Sequence, residues 1–377
     1  MQYSGIGGQA VLEGIMMKNK EQYAVAVRKP DGEIEIEIEH YLGIFHESKL
    51  KNIPFIRGVF QFLDSMILGM RSLNYSASFY EDADAEETMT DKAMRRLFKD
   101  KAEQVLSVIV MLFSFALAIG IFMVLPYFIT SRFSEYIRSD SFMAIIEGVI
   151  RIAIFVLYVV GISLMKDIRR LYMYHGAEHK CINCIEKGRP LTVRNVMRSS
   201  KQHRRCGTSF MLFVMLVSVV LFFFIRVENP VYRVLIRIAL IPVIAGISYE
   251  IIRLAGRSNN ILVRIISVPG LWLQRLTTKE PDESMVEVAI AAVEAVFDWK
   301  NYLYEAFGYE IDESWLRDEE PSEEEETSED EESEEEALEV TVEEKRVEEE
   351  RVEEDSSKKD ESLEKEEAAE GKRDTKG

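Results

Sequence analysis

Three of the chain's five histidines (His175, His179, His203) and all three of its cysteines (Cys181, Cys184, Cys206) lie in one 32-residue stretch that reads YHGAEHKCINC, a basic connector, then HRRCG. No other part of the sequence gathers soft metal ligands. On a helix, His175 and His179 are four residues apart and share a face, with Glu178 beside them. Two imidazoles at that spacing can hold one zinc ion, and an adjacent carboxylate can act as general base toward water that the ion activates. HGAEH is literally H-x-x-E-H, the inverted zinc-hydrolase arrangement, which needs a third protein ligand from elsewhere in the chain. Glu250, His203 and Cys206 are the candidates of suitable type for that third place, with Glu178 as the catalytic base.

Two other readings stand beside this one. Cys181-x2-Cys184 followed by His203-x2-Cys206 has nearly the spacing of a Cys3His zinc knuckle, which would pin the connector and catalyse nothing. In the last reading no metal binds: the histidines are polar residues of a juxtamembrane helix, and HRRC is a basic turn touching lipid headgroups. The sequence leaves all three open. An odd number of cysteines cannot be fully paired within one chain, so thiols or thiolate ligands are expected and not disulfides.

The elements that must position this stretch are hydrophobic. Four runs, about 105–129, 145–165, 208–227 and 233–252, reach the length needed to cross a bilayer. Residues 166–205 carry eleven Lys or Arg against three acids, so the positive-inside tendency puts this segment and both termini in the cytoplasm. Charges inside spans rarely face lipid. Glu147 and Arg151, one helical turn apart in the second run, can pair with each other as a structural element, a reading favoured over a transport pathway because four spans are few for a transporter and no internal repeat is evident. Arg237 lies in the fourth run. Residues 54–73 are too polar to span easily and too apolar for a free surface helix, which predicts an interfacial or membrane-dipping helix. The stretch NILVRIISVPGLWLQRL, with Trp272, reads as an amphipathic segment at headgroup level. Residues 283–306 read as an amphipathic cytosolic helix with Val286, Ile290, Val293 and Phe297 on one face.

Ahead of the membrane body, residues 23–28, the turn Lys29-Pro30-Asp31-Gly32 and the alternating GEIEIEIEH predict a β-hairpin. The glycines of GIGGQAVLEG lack the strand, spacing and lysine of a phosphate loop, so they read as a flexible entry into the first strand. At the other end, 30 of the chain's 65 acidic residues but only 10 of its 46 basic ones lie from Arg317 onward. The tail therefore carries the acidity and the first 316 residues are close to neutral. Almost nothing in EEEETSEDEESEEE can be buried, which predicts a disordered tail.

The fold class expected is mainly α: a polytopic helical membrane protein with about four transmembrane helices, a small N-terminal β element and a disordered C-terminal tail. Its parts are residues 1–50, an interfacial helix and linker at 51–104, the membrane body at 105–316 and the tail at 317–377. The motifs GGQAVLEGIMM, YHGAEHK, RCGTSF, AGISYEIIRLAG and PGLWLQRLTTKEPDESMVEVA together resemble the YqhQ-like family of bacterial multi-pass membrane proteins of unknown function, sometimes described as predicted metal-dependent enzymes. The similarity runs from about Gly5 to about Phe297. It implies the polytopic architecture and is compatible with a metal, zinc by ligand type. The expected setting is the plasma membrane, with the bilayer and other membrane proteins as partners and no nucleic acid. Function then divides between a metal-dependent hydrolase acting on a membrane-associated peptide or lipid and a non-catalytic factor that binds or regulates other membrane proteins.

Overall fold

The computed structural model describes residues 2–43, 46, 48, 53–80, 102–133, 137, 139–225, 227, 229–255 and 261–308. The expected tail, the acidic linker at 81–93 and the basic collar at 94–101 lie outside the described residues. Four strands open the chain, β1 (Gly7–Val11), β2 (Gly14–Asn19), β3 (Gln22–Arg28) and β4 (Ile34–His40), and they form one antiparallel sheet in sequence order. The predicted hairpin is β3–β4, paired from Gln22 with His40 to Arg28 with Ile34. The supposed flexible entry is instead β1 and the start of β2. The tight turns that join β1 to β2 and β2 to β3 place Glu13 and Lys20 at positive φ (50° and 55°). Neither is the Asn-Gly or Asp-Gly pair that usually announces such a hairpin, so residue type offers little sign of them.

The sheet is covered on both sides, and strict alternation sorts its residues. In β2 and β3, Ile15, Met17, Ala24 and Ala26 enter one apolar cluster, whereas Met16, Tyr23, Val25 and Val27 enter the other. Burial on both faces explains why these strands read as nearly continuous apolar runs. Helix α1 (Ile56–Ser78) covers the second face through Leu68, with Ile67 and Tyr75 beside it. Its first turn lies on a later helix of the apolar bundle, where a Cβ on Gly58 would come within 2.7 Å of Tyr249. The expected interfacial helix thus links the sheet to the bundle.

The apolar helices follow. α2 (Ala102–Ile119), a π-helical turn at Gly120–Val124 and α3 (Leu125–Ser131) form the first long apolar element, α4 (Asp140–Ser163) the second and α7 (Gly207–Phe224) the third. Among the described residues, three helices are long and apolar enough to cross a membrane, over Val108–Ser131, Ser141–Ser163 and Gly207–Phe224. The fourth predicted run is two helices, α8 (Pro230–Ala239) and α9 (Ile241–Ala255), bent by 41° and counting as one span only if taken together. The bend falls just before Pro242, which cannot donate to the helical ladder and whose ring crowds the preceding turn. Apolar side chains such as Val108, Leu112, Phe113 and Leu117 stand exposed along α2, an arrangement that a bilayer tolerates and water does not.

Between the second and third spans lie α5 (Lys166–Glu186) and the short α6 (Val193–Met197). After the bundle come α10 (Ile261–Thr277), α11 (Glu283–Glu294) and α12 (Trp299–Phe307). The segment expected at headgroup level is α10, which packs its buried Leu273 with Leu212 and Met215 of α7 and Phe155 and Val159 of α4. The single helix expected over 283–306 is broken, because Asp298 caps a new helix by accepting from the Asn301 N–H. Val286 and Val293 do face inward together, against α5 and the sheet.

The expected cytoplasmic placement of residues 166–205 can be checked by labelling, but not through the native thiols, since all three cysteines are buried. In a chain with Lys187→Cys or Asn229→Cys added, a membrane-impermeant maleimide applied to intact cells should label position 229 and spare 187. The reverse pattern contradicts the orientation.

Candidate metal centre

Helix α5 carries the H-x-x-E-H motif from the end of the second candidate span to beneath the sheet, where its second half is almost wholly buried. Three contacts fix its position. Glu13, in the β1–β2 turn, binds the guanidinium of Arg170 and accepts from the Tyr174 hydroxyl at 3.3 Å. Gly176 lets the turn after α10 come into contact, since a Cβ there would lie 2.1 Å from the Lys279 carbonyl. The Lys279 N–H donates to the Tyr172 carbonyl at 2.9 Å.

The two imidazoles are held in matching ways. His175 Nδ1 lies 3.0 Å from the carbonyl of Thr277, at the end of α10, and His179 Nδ1 lies 2.7 Å from that of Lys201. A carbonyl can only accept, so each Nδ1 carries the proton and each Nε2 is left to face the other side. There both meet Cys206: His175 Nε2 stands 3.1 Å from its Sγ, and the His175 and His179 rings are 4.4 Å apart between centroids. One donor atom from each of His175, His179 and Cys206 falls within 4.8 Å of the other two. His179 and Cys206 are buried, while His175 is partly exposed.

Cys206 occupies the N-cap of α7, where its sulfur accepts from the Thr208 N–H at 3.4 Å. Burial opposes a thiolate here, but His175 and His179 outweigh it and hold the thiol well below its ordinary value. A helix N-terminus adds to the same effect. Burial likewise opposes charge on His175, yet the adjacent Cys206 sulfur raises it to about 9. The two groups thus push each other toward their charged forms. Glu178 is fully enclosed; burial raises its carboxyl above the usual range although the two imidazoles pull the other way. Its Oε1 accepts from the Gly8 backbone N–H at 3.1 Å.

Of the residues that the sequence proposed, the fold thus gathers His175, His179 and Cys206, with Glu178 adjoining. It does not bring Glu250 to them. That carboxylate is held by Arg57, whose Nε donates to it at 2.6 Å, and by the Phe55 N–H at 3.2 Å. His203 borders the group, its ring 5.7 Å from that of His179, but its backbone is clamped by Gln274, which accepts from its N–H at 2.8 Å and donates to its carbonyl at 2.7 Å. Burial lowers its basicity, and its Nε2 stands 3.1 Å from the Arg205 guanidinium. The zinc knuckle is not assembled. Cys181 and Cys184 point into the apolar cluster between α5, α6 and α11, burial raises both thiols (Cys184 to about 12), and Cys184 Sγ faces the Pro190 carbonyl at 3.4 Å. Among the described residues, His175, His179 and Cys206 form the one such ligand group.

Sequence reasoning missed Gly8, Thr277, Lys201 and Gln274. Gly8 sat in a stretch read as flexible, yet a Cβ there would lie 2.6 Å from the Met16 carbonyl and 3.1 Å from Glu178 Cγ. Its missing side chain is what lets β1 approach the carboxylate. Thr277 and Lys201 act through backbone oxygens, which residue type does not reveal.

A second polar group steadies the same region. Glu186, buried at the end of α5, accepts from the Ser4 N–H at 2.9 Å and the Ser4 hydroxyl at 2.7 Å and binds Arg205. Burial opposes its charge, but His203, Arg205 and Ser4 together hold the carboxyl down to about 2. A depressed carboxyl contributes stability that is complete above its unfolded value near 4.3 and is lost as pH falls toward 2. Glu186→Gln should therefore destabilise the chain at pH 7 by on the order of 2–3 kcal/mol. Thermal unfolding from pH 6 down to pH 3 should show a shallower loss for the variant than for the parent. Gly176→Ala should cost about 1–3 kcal/mol by forcing α5 away from the Lys279 carbonyl.

Three comparisons bear on this site. The family described as "Protein of unknown function (DUF1385)" matches residues 53–299, which include every residue of the ligand group. The uncharacterized protein YqhQ of Bacillus subtilis (strain 168) is 36% identical over 290 residues, covering 75% of this chain and 89% of that protein. No solved structure matches the chain.

Proposed function

Because the chain belongs to the DUF1385 family of proteins of unknown function, its chemistry has to be read from its own residues, and we propose that it is a multi-pass plasma-membrane protein holding a zinc-class ion at its cytoplasmic surface. His175 Nε2, His179 Nε2 and Cys206 Sγ are the ligands. The observation that carries this reading is the pair of Nδ1 contacts to the Thr277 and Lys201 carbonyls. An imidazole that ligates a metal nearly always gives its other N–H to such a partner, which fixes tautomer and ring angle. Two nitrogens and one thiolate suit zinc, and three protein ligands leave a fourth position open.

When bound, such an ion supplies Lewis acidity and lowers the pKa of water, the basis of hydrolysis. The chain's own part is to orient and to hold protons. Glu178, shielded from water and steadied by Gly8, serves as the general base, its raised pKa closer to neutrality than that of an ordinary carboxylate. The substrate class is a membrane-associated peptide or lipid, since α5 joins the sheet to the end of a span. Burial of Glu178, His179 and Cys206 favours a second reading, in which the same ligands staple α5, α7 and the 198–206 segment together within a factor that regulates other membrane proteins.

Elemental analysis of the purified full chain should give about one zinc per chain. His175→Ala, His179→Ala and Cys206→Ser should lose most of it, while Cys181→Ser, Cys184→Ser and Glu250→Gln keep it. Retention by Cys206→Ser, or no metal in the parent, overturns the proposal. Glu178→Gln should keep the metal and fail to complement a deletion strain if the site is catalytic; full complementation selects the staple. Affinity for the ion should also rise with pH up to about 9, because below that value the proton on His175 competes with it.

A further inference from the structure

Near the opposite end of the bundle, Glu147 and Arg151 of α4 do pair, at 2.8 Å, but a third charge joins them. Arg237 of α8 donates to the same carboxylate at 2.9 Å through Nη2, and its Nη1 lies 2.5 Å from the other oxygen. All three side chains are nine-tenths or more buried. Arg151 also donates to the Ser218 hydroxyl at 3.0 Å. Both guanidiniums lie against the Phe222 ring, at 4.7 and 4.8 Å.

One carboxylate thus faces two guanidiniums, and the described residues supply no second acid. Arg151 Nε and Arg237 Nε are buried without a hydrogen-bond acceptor, whereas Arg237 Nη1 is taken up by its ion-pair contact with Glu147. Arg233, one turn before Arg237 and partly exposed, adds another positive charge against Tyr127, 5.1 Å from the ring centroid. An uncompensated guanidinium inside a bilayer is unfavourable, and a buried charge needs both a partner and filled hydrogen bonds. Glu147 is seven residues into α4 and Arg237 seven into α8, so the cluster lies about 10 Å below the ends at which both helices begin. Arg233 stands between it and that membrane face.

We propose that Arg151 and Arg237, with Arg233 at the rim, bind a phosphate-type oxyanion that enters from that face. The planar fork of a guanidinium matches two oxygens of a phosphate, and the donors left open are those that Glu147 does not fill. The phosphate has two possible sources, an anionic phospholipid headgroup and free inorganic phosphate, and the cluster's recognition chemistry is the same for both.

The test uses the full chain purified in detergent, with bound phospholipid measured by mass spectrometry after washing, and with inorganic phosphate then added to delipidated protein while thermal unfolding is followed. The parent should retain anionic phospholipid or gain thermal stability from phosphate; the first outcome assigns the lipid source and the second the free ion. Arg237→Gln and Arg151→Gln should weaken that binding roughly tenfold or more, the loss of one charge-assisted contact. Glu147→Gln supplies a control that a merely structural cluster would fail, since removing the competing carboxylate should leave phosphate binding intact or tighter. A parent that neither carries lipid nor responds to phosphate overturns the proposal, as does unchanged binding in Arg237→Gln.

Discussion

Two backbone carbonyls, those of Thr277 and Lys201, set the arrangement on which the candidate centre depends. By accepting from the Nδ1 atoms of His175 and His179, they turn both Nε2 atoms toward the sulfur at the head of α7. Neither carbonyl can move alone. Thr277 ends α10, which Gln274 ties to His203 and to Ser209 of α7. Lys201 belongs to the same short segment, which Asn183 of α5 grips through the Ser200 and Gln202 carbonyls at 2.6 and 2.9 Å. A shift of α10 or of this segment would swing an imidazole away from Cys206.

Helix α5 joins two parts of the molecule, the sheet and the apolar helices that are candidates to cross a membrane. Through Ala177, Cys181, Ile182 and Ile185, α5 forms the core beneath the sheet, and its first turn follows directly on a helix apolar enough to span a bilayer. Burial of α5 under the sheet brings Glu178 against β1, where the Gly8 N–H meets it. The N-terminal sheet is therefore part of the surroundings of the H-x-x-E-H motif. Helix α1 completes the junction by packing on the sheet and, through Gly58, on α9.

Much of this was legible in the sequence, and for definable reasons. Runs of apolar residues mark spans because hydrocarbon admits little else, and the β3–β4 hairpin was visible in its period-two alternation and its Pro-Asp-Gly turn. The i, i+4 histidines were legible because helical spacing alone puts them on one face. What failed depended on partners far away in the chain. Glu250 was suitable in type, but Arg57, almost two hundred residues earlier, claims it. Cys181 and Cys184 had a ligand-like spacing, but on α5 that spacing faces the apolar core. Strands β1 and β2 turn at Glu13 and Lys20, residues whose type does not announce a hairpin. The second arginine on Glu147 came from another helix, ninety residues away.

The central claim, one ion held by two imidazoles and one thiolate, is tested most directly by X-ray absorption at the zinc edge on the purified full chain. The account predicts one sulfur neighbour at about 2.3 Å and imidazole nitrogens at about 2.0–2.1 Å, with the sulfur contribution gone in Cys206→Ser. Two or more sulfur neighbours would place the ion at Cys181 and Cys184, and a chain without bound zinc would remove it from this site; either result contradicts the account.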